Sequence, residues 1–347
     1  MNIDKFTDTI KACRFCFMCR HLSGVGNVTF GECDTPRIRA SMIDGITRYP
    51  EEIKNADFIR TIYSSDLSAA CRFHCVNHFD ENGLNLAVRR DIVDANLAPD
   101  DVLKLVEELR PRTQAPKIPA GKEDVLYLVD FLTDEVPFEA EAFHKIMKKA
   151  KIKFRVAEGC LAAKALKILG FAEEAKKAFE AFAEVVKKSG AKLMVTSDPA
   201  LFDALKNDFV ELGVKCPAKV MHTTEYVASL KLKFSKKAGK VYYLESDFLK
   251  NYNDAYKFPK ELLKQIGAEC APFGTNNEES YTCGEGAVVL NSLRPEIVAK
   301  MAKYVEARAD NPESDKIVVS SAYTKAVLTQ NTNLKVSTIV ELAASCL

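Results

Sequence analysis

Hydrophobic residues recur along this chain with two different periods, and the change from one to the other divides it. The first part has helical spacing. The stretches TPRIRASMIDGITRYP, beginning at Thr35, and LNLAVRRDIVDANL, beginning at Leu84, repeat apolar residues every three or four positions. APDDVLKLVEELR opens with an acidic first turn, which the positive end of a helix favours. Residues 1–110 therefore read as helices joined by loops. PRTQAPKIPAGKE follows, with Pro111, Pro116 and Pro119, and predicts a linker over 111–123.

Beyond the linker, short β-branched or aromatic runs alternate with amphipathic helices. DVLYLVDF precedes a helix near 138–149, and KFRVA precedes long helices that reach Lys188. KLMVT is followed by a helix from Pro199. KVYYLE begins the order again, and KIVVS precedes a helix near 323–328. Strand–helix alternation of this kind predicts mostly parallel sheets covered by helices. The pattern also repeats: DVLYLVDFL (124–132) matches KVYYLESDFL (240–249), and AKLMVTSDPALFDAL (191–205) matches DKIVVSSAYTKAVL (315–328). Cys160 precedes Asp198 by 38 residues, and Cys283 precedes Ser321 by 38. The fold expected is a helical domain over 1–110, then two copies of one α/β unit at 124–232 and 233–347.

Charge narrows the function classes. Lys and Arg total 49 against 48 Asp and Glu, so the net charge of +1 gives no pull toward nucleic acid or acidic lipid. No apolar run is long enough to span a bilayer, and MNIDKFTDTIKACR has no apolar signal-peptide core, so a cytoplasmic protein is expected. The eleven cysteines change the picture more. In a long cytosolic chain they read as metal or redox chemistry rather than disulfides. Six fall in the first 75 residues, while Cys160, Cys216, Cys270, Cys283 and Cys346 are scattered.

KACRFCFMCRH contains C-x2-C-x2-C, in which Cys13, Cys16 and Cys19 are spaced to hold three irons of a [4Fe–4S] cluster. A zinc site more often takes two pairs of ligands from separate loops, and three plain core cysteines are the remaining alternative. Phe15, Phe17 and Met18 lie between the thiols, where they could shield a cluster from water. In two-cluster ferredoxins each half reads C-x2-C-x2-C-x3-C, and the last Cys of each half serves the other half's cluster. Spacing backward from Cys75 gives Ser65, Ser68, Cys71 and Cys75, and four residues after Cys19 stands Ser23. The crossover thus completes one set, Cys13, Cys16, Cys19 and Cys75, and leaves the other with Cys71 alone. Cys33, fourteen residues after Cys19, is the alternative fourth ligand. His21, His74 and His78 lie nearby and read as neighbours of the ligands rather than ligands.

CRFCFMCRH…GNVTFGECDTPRIRA resembles the N-terminal ferredoxin-like domain of the iron–sulfur subunits of glycolate oxidase and D-lactate dehydrogenase, and is similar to heterodisulfide reductase subunits. SSDLSAACRFHC…LAVRRDIVDANLAP resembles the second motif of that domain, with Ser65 and Ser68 where Cys is expected. The rest of that family's chain carries two cysteine-rich CCG domains, each with a lone Cys, a Cys-Cys-Gly and a C-P-x-C. The resemblance places Asp130, Gly159-Cys160-Leu161 and Asp198-Pro199-Ala200-Leu201 at those positions in the first unit. In the second it places Asp247, Thr282-Cys283-Gly284 and Ser321-Ala322-Tyr323-Thr324. One Cys per unit is too few for a cluster, so these CCG domains are degenerate. The resemblance implies an electron-transfer subunit and a partner, an FAD-linked oxidase of 2-hydroxy acids.

Two other readings remain at this stage. The cluster could staple a non-catalytic redox-sensing or assembly module. Alternatively Asp130, Asp198, Glu245, Asp247 and His222 could converge on a cation, although acids at loop ends also serve as helix caps. GVG at 24–26 and GEG at 284–286 are too short for nucleotide fingerprints.

Overall fold

A computed structural model of the chain describes the backbone at residues 1–134, 136–160, 162–255, 257–273 and 281–347. It describes the side chains at all of these but 73, 74, 131, 134, 137 and 160. The helices foreseen in the first part form at Pro36–Arg48, Glu81–Asp94 and Asp100–Leu109, joined by a further helix at Ala56–Tyr63. Their starts are written locally. Asn55 caps Ala56–Tyr63 by accepting from the Asp57 and Phe58 N–H groups, and Asp80 caps Glu81–Asp94 through the Gly83 N–H. Asp100 and Asp101 sit in the first turn of the last helix, where the dipole favours negative charge.

The second part holds two four-stranded sheets. The first contains β1 (Val125–Asp130), β2 (Arg155–Cys160), β3 (Leu193–Thr196) and β4 (Lys219–His222), in the order β2-β1-β3-β4. The second contains β5 (Gly239–Leu244), β6 (Ala268–Cys270), β7 (Lys316–Val319) and β8 (Lys335–Thr338), in the order β6-β5-β7-β8. All these pairings are parallel, and the two orders are the same, which gives the sequence repeat a structural counterpart.

Alternation along the strands sorts the core into two layers. Leu126 and Leu128 of β1, Met194 of β3, Tyr242 and Leu244 of β5, and Ile317 and Val319 of β7 join a core continuous with the N-terminal helices. The intervening Tyr127, Val195, Val241, Tyr243 and Val318 face a second core shared by both sheets. Helices Pro137–Ala150 and Ile339–Ser345 pack together over that second core, and Lys145 Nζ donates to the Ala344 carbonyl at 2.7 Å.

In the proline-rich segment, Lys117 and Glu158 exchange backbone hydrogen bonds of 3.2 and 3.3 Å at the edge of β2. The N-terminal helices are pinned to the first sheet's helices through Arg89. Its buried guanidinium donates to the carbonyls of Ile62 (2.8 Å) and Ile168 (3.0 Å), the last turns of two helices. Among the described residues no helix is long and apolar enough to cross a membrane.

Candidate metal centre

The loop from Cys13 to Cys19 leaves a short helix, Thr7–Ala12, and is closed against the segment that carries Cys75. Asn77 Nδ2 donates to the Ala12 carbonyl at 2.8 Å and ties the two segments together across 65 residues of chain. Burial pushes the Cys13 thiol up, and the neighbouring Cys75 and Cys16 add to the shift, while the Phe15 N–H bound to its sulfur pulls the other way. Burial likewise raises Cys19, to about 11. The Arg37 N–H opposes that rise, and Glu81, Cys13 and Cys16 reinforce it. Cys13 therefore lies within electrostatic reach of Cys16, Cys19 and Cys75, and Cys19 within reach of Cys16. Their sulfurs are not drawn in to ligand spacing: among the described residues no group of three or more His, Cys, Asp or Glu stands at metal-holding geometry.

The donor set suits an iron–sulfur cluster. Four thiols come from one tight loop and one distant segment, and two of the sulfurs already receive a backbone N–H, which favours the thiolate. A metal taken up here must displace protons, so loading is easier as pH rises. Cys33 is exposed on the turn Glu32–Asp34. His21 and His78 are exposed, and the side chains of His74 and Cys160 lie outside the described residues.

Backbone strain gathers in the same region. Of the ten described non-glycine residues with left-handed backbone, five are Phe15, Phe30, Leu67, Ala69 and His78. Phe15 (φ 51°) stands two residues after Cys13, and Leu67 (φ 49°) stands two residues after Ser65. The serine-bearing segment thus turns at the same step as the cysteine loop. Its neighbours are polar. Asp66 accepts from the Ser68 N–H (3.1 Å) and the Val25 N–H (3.3 Å) and lies near the buried Arg39–Glu81 ion pair of 2.6 Å. Cys71 is buried beside this pair and beside Cys19, and burial holds its thiol well above the ordinary range.

The segment is also where the second sheet's unit docks. Asn251 and Tyr252, on a π-helical turn at Phe248–Tyr252, donate to the Ser68 and Leu67 carbonyls. Gly286 packs so closely that a Cβ there would stand 2.2 Å from the Leu67 oxygen.

Where the sequence comparison sets acids in place of thiols, Asp130, Asp198 and Asp247 are all buried. Asp130 and Asp198 are helix caps: Asp130 accepts from Leu132 and Thr133, and Asp198 from Ala200 and Leu201. Asp247 accepts from Thr282 Oγ1 at 2.6 Å and from the Gly286 N–H. Glu285, which sequence reading passed over inside GEG, lies within electrostatic reach of Asp198 and Asp247. It accepts from Ser246 Oγ and the Asp247 N–H, each at 2.8 Å.

Burial raises Asp130 to about 6 and Glu285 to about 7, and it raises Asp198 and Asp247 well above the carboxylate range, each helped by an acidic neighbour. His222 is held neutral, down to about 4 by burial. Its Nε2 meets the Ser197 carbonyl and its Nδ1 meets Thr224 at the start of a helix. Glu245 instead pairs with Lys250 and Lys260. The five residues considered for a cation do not form one site.

No known family model matches the chain. Over 102 residues it is 34% identical to the EtfAB:quinone oxidoreductase of Syntrophomonas wolfei, a match covering 28% of this chain and 14% of that protein. Over 110 residues it is 30% identical to the probable iron-sulfur-binding oxidoreductase FadF of Bacillus subtilis, covering 28% of this chain and 15% of that protein. The matched stretch is thus a small part of either relative. A hypothetical protein from Helicobacter pylori shares the fold, with a TM-score of 0.67 over 99% of this chain and 76% of that one, at 9% identity. Over more than a quarter of its length, then, the chain is similar to oxidoreductases, one of them named as iron–sulfur-binding.

Proposed function

We propose that this chain is an electron-transfer protein of the cytoplasm that holds one [4Fe–4S] cluster on Cys13, Cys16, Cys19 and Cys75. In this reading it accepts electrons from an FAD-linked oxidoreductase of the 2-hydroxy-acid oxidase kind. The observation that carries the reading is the closure of the Cys75 segment onto the C-x2-C-x2-C loop, with Cys75 acting on Cys13 and Asn77 tying down Ala12. The oxidoreductase names of the partial relatives support the same class. Residues 1–110 then carry the redox centre. The segment 111–123 joins them to the α/β units 124–232 and 233–347, which serve as scaffold.

A bound cluster supplies one-electron chemistry at these thiolates. The protein's part is positional. The N–H groups of Phe15 and Arg37 stabilise the charged sulfurs of Cys13 and Cys19. The exposed Cys16 brings the centre to the surface, as electron exchange with a partner needs and a buried staple does not. Anaerobic potentiometry tests the reading. The parent chain and Cys33→Ala should show one reversible one-electron step, and Cys75→Ala should lose it. Loss in Cys33→Ala with retention in Cys75→Ala would move the fourth ligand to Cys33. No reversible step in the parent chain would end the electron-transfer reading.

A further inference from the structure

The surface around the candidate centre is unusual for a soluble chain. Phe15 is 43% exposed, Phe17 71%, Met18 49% and Val76 86%, and all four lie on the two segments that carry the thiols. Single exposed apolar residues are ordinary, but four converging on one loop pair form a patch. The rim is basic. Residues 11–21 and 71–78 include Lys11, Arg14, Arg20 and Arg72 and no Asp or Glu. Arg37 adds a guanidinium 4.3 Å from the Phe17 ring centre. Glu32 is the carboxylate paired with Arg20 (2.7 Å) and Arg37 (2.6 Å). Lys11, Arg14, Arg20, Arg37 and Arg72 thus outnumber the nearby carboxylates Asp8, Glu32 and Asp34, in a chain whose total charge is +1.

The face continues beyond the cysteine loop. Asn27 Nδ2 donates to the His21 carbonyl at 2.7 Å, and Asn27 is also one of the residues lining a groove of about 420 Å³. Val28, Phe30, Ala299, Lys300, Lys303 and Tyr304 also line that groove, and Lys303 is paired with Glu306 at 2.8 Å. Phe30 is 81% exposed. Phe, Met and Arg around an apolar centre with a charged rim are the composition of a protein interface. The charge on the rim selects the partner.

We infer that this face docks an acidic flavoprotein, with the apolar residues meeting the surface around its flavin edge and the arginines and lysines meeting its carboxylates. The inference rests on the electron-transfer reading above and adds the partner's chemistry to it. One electron leaves the partner's reduced flavin, one enters the centre held by the thiols, and no atom is transferred. Small, transient, electrostatically steered contacts suit such exchange.

Purified flavodoxin, an acidic one-electron flavoprotein, is a defined probe. Its binding to the loaded full-length chain is measured by calorimetry, and its reduction of the centre by stopped flow. The rate should fall about tenfold from about 20 to about 300 mM NaCl, as it does for opposite charges. Arg14→Glu with Arg72→Glu should lower the low-salt rate at least about tenfold and flatten the salt dependence. Phe17→Ser should weaken calorimetric binding about fivefold or more. Lys188→Glu, on the exposed end of helix Ala172–Ser189, should do neither. The extent of reduction by excess dithionite should be equal in all variants. A folded chain that holds no iron overturns the cluster reading and this inference with it. A loaded chain whose flavodoxin binding and rate are indifferent to salt and to these substitutions overturns the docking face alone.

Discussion

Glu285→Gln isolates the most consequential buried carboxyl. Glu285 is buried among Asp247, Asp198, Ser246 and Ser321, and its acidity is pushed up to about 7 from an ordinary 4.5. The folded chain therefore binds a proton here between about pH 4.5 and 7 that the unfolded chain has released, so stability falls as pH rises through that window. Between pH 5.5 and 8 the loss from this one group is about 2 kcal/mol, from the two proton affinities.

Glutamine copies the protonated form. Its carbonyl can accept from the Asp247 N–H, and its amide can donate to Ser246 Oγ, a hydroxyl that can turn to accept. The variant should match the parent within about 1 kcal/mol at pH 5.5 and gain about 2 kcal/mol on it at pH 8. Urea unfolding at both pH values on the same preparation measures the difference. A parent-to-variant difference that does not change between the two pH values would refute the claim that Glu285 is protonated in the fold near neutrality.

The Arg39–Glu81 pair beside the cysteine loop should behave as a buried ion pair. Arg39→Met and Glu81→Leu should each cost about 3–5 kcal/mol in urea unfolding, and the double variant should recover most of it. Single variants within about 1 kcal/mol of the parent would show the pair to be solvated. Gly286→Ala should destabilise by about 1–3 kcal/mol, because its Cβ would meet the Leu67 carbonyl and neither backbone can yield alone. The same substitution should speed hydrogen exchange at residues 65–71, and unchanged exchange there would contradict the close packing.

The strands that could be read from the sequence are mostly interior, and those that could not are all edges. DVLYLVDF, KLMVT, KVYYLE and KIVVS are interior strands announced by their apolar runs, and KFRVA is the one edge strand whose short apolar run was also legible. β4, β6 and β8 escaped notice. All three are sheet edges of three or four residues with polar, partly exposed positions, the form edges take to avoid pairing with other chains.

The cysteine loop was legible because thiol spacing is a chemical ruler. Asp66 and Glu285 were not, because burial makes them unusual and burial is not written in their flanking residues. The caps at Asp130 and Asp198 were legible as a kind but not as positions. Within the linker expected at 111–123, the β-edge contact of Lys117 was not legible, because its partner Glu158 lies forty-one residues on.

The central claim is that one cluster sits on Cys13, Cys16, Cys19 and Cys75. Iron and acid-labile sulfide counted on anaerobically purified protein test it most directly. The account predicts about four of each per chain. Stoichiometric zinc with no visible absorption, or about eight irons per chain, would contradict it.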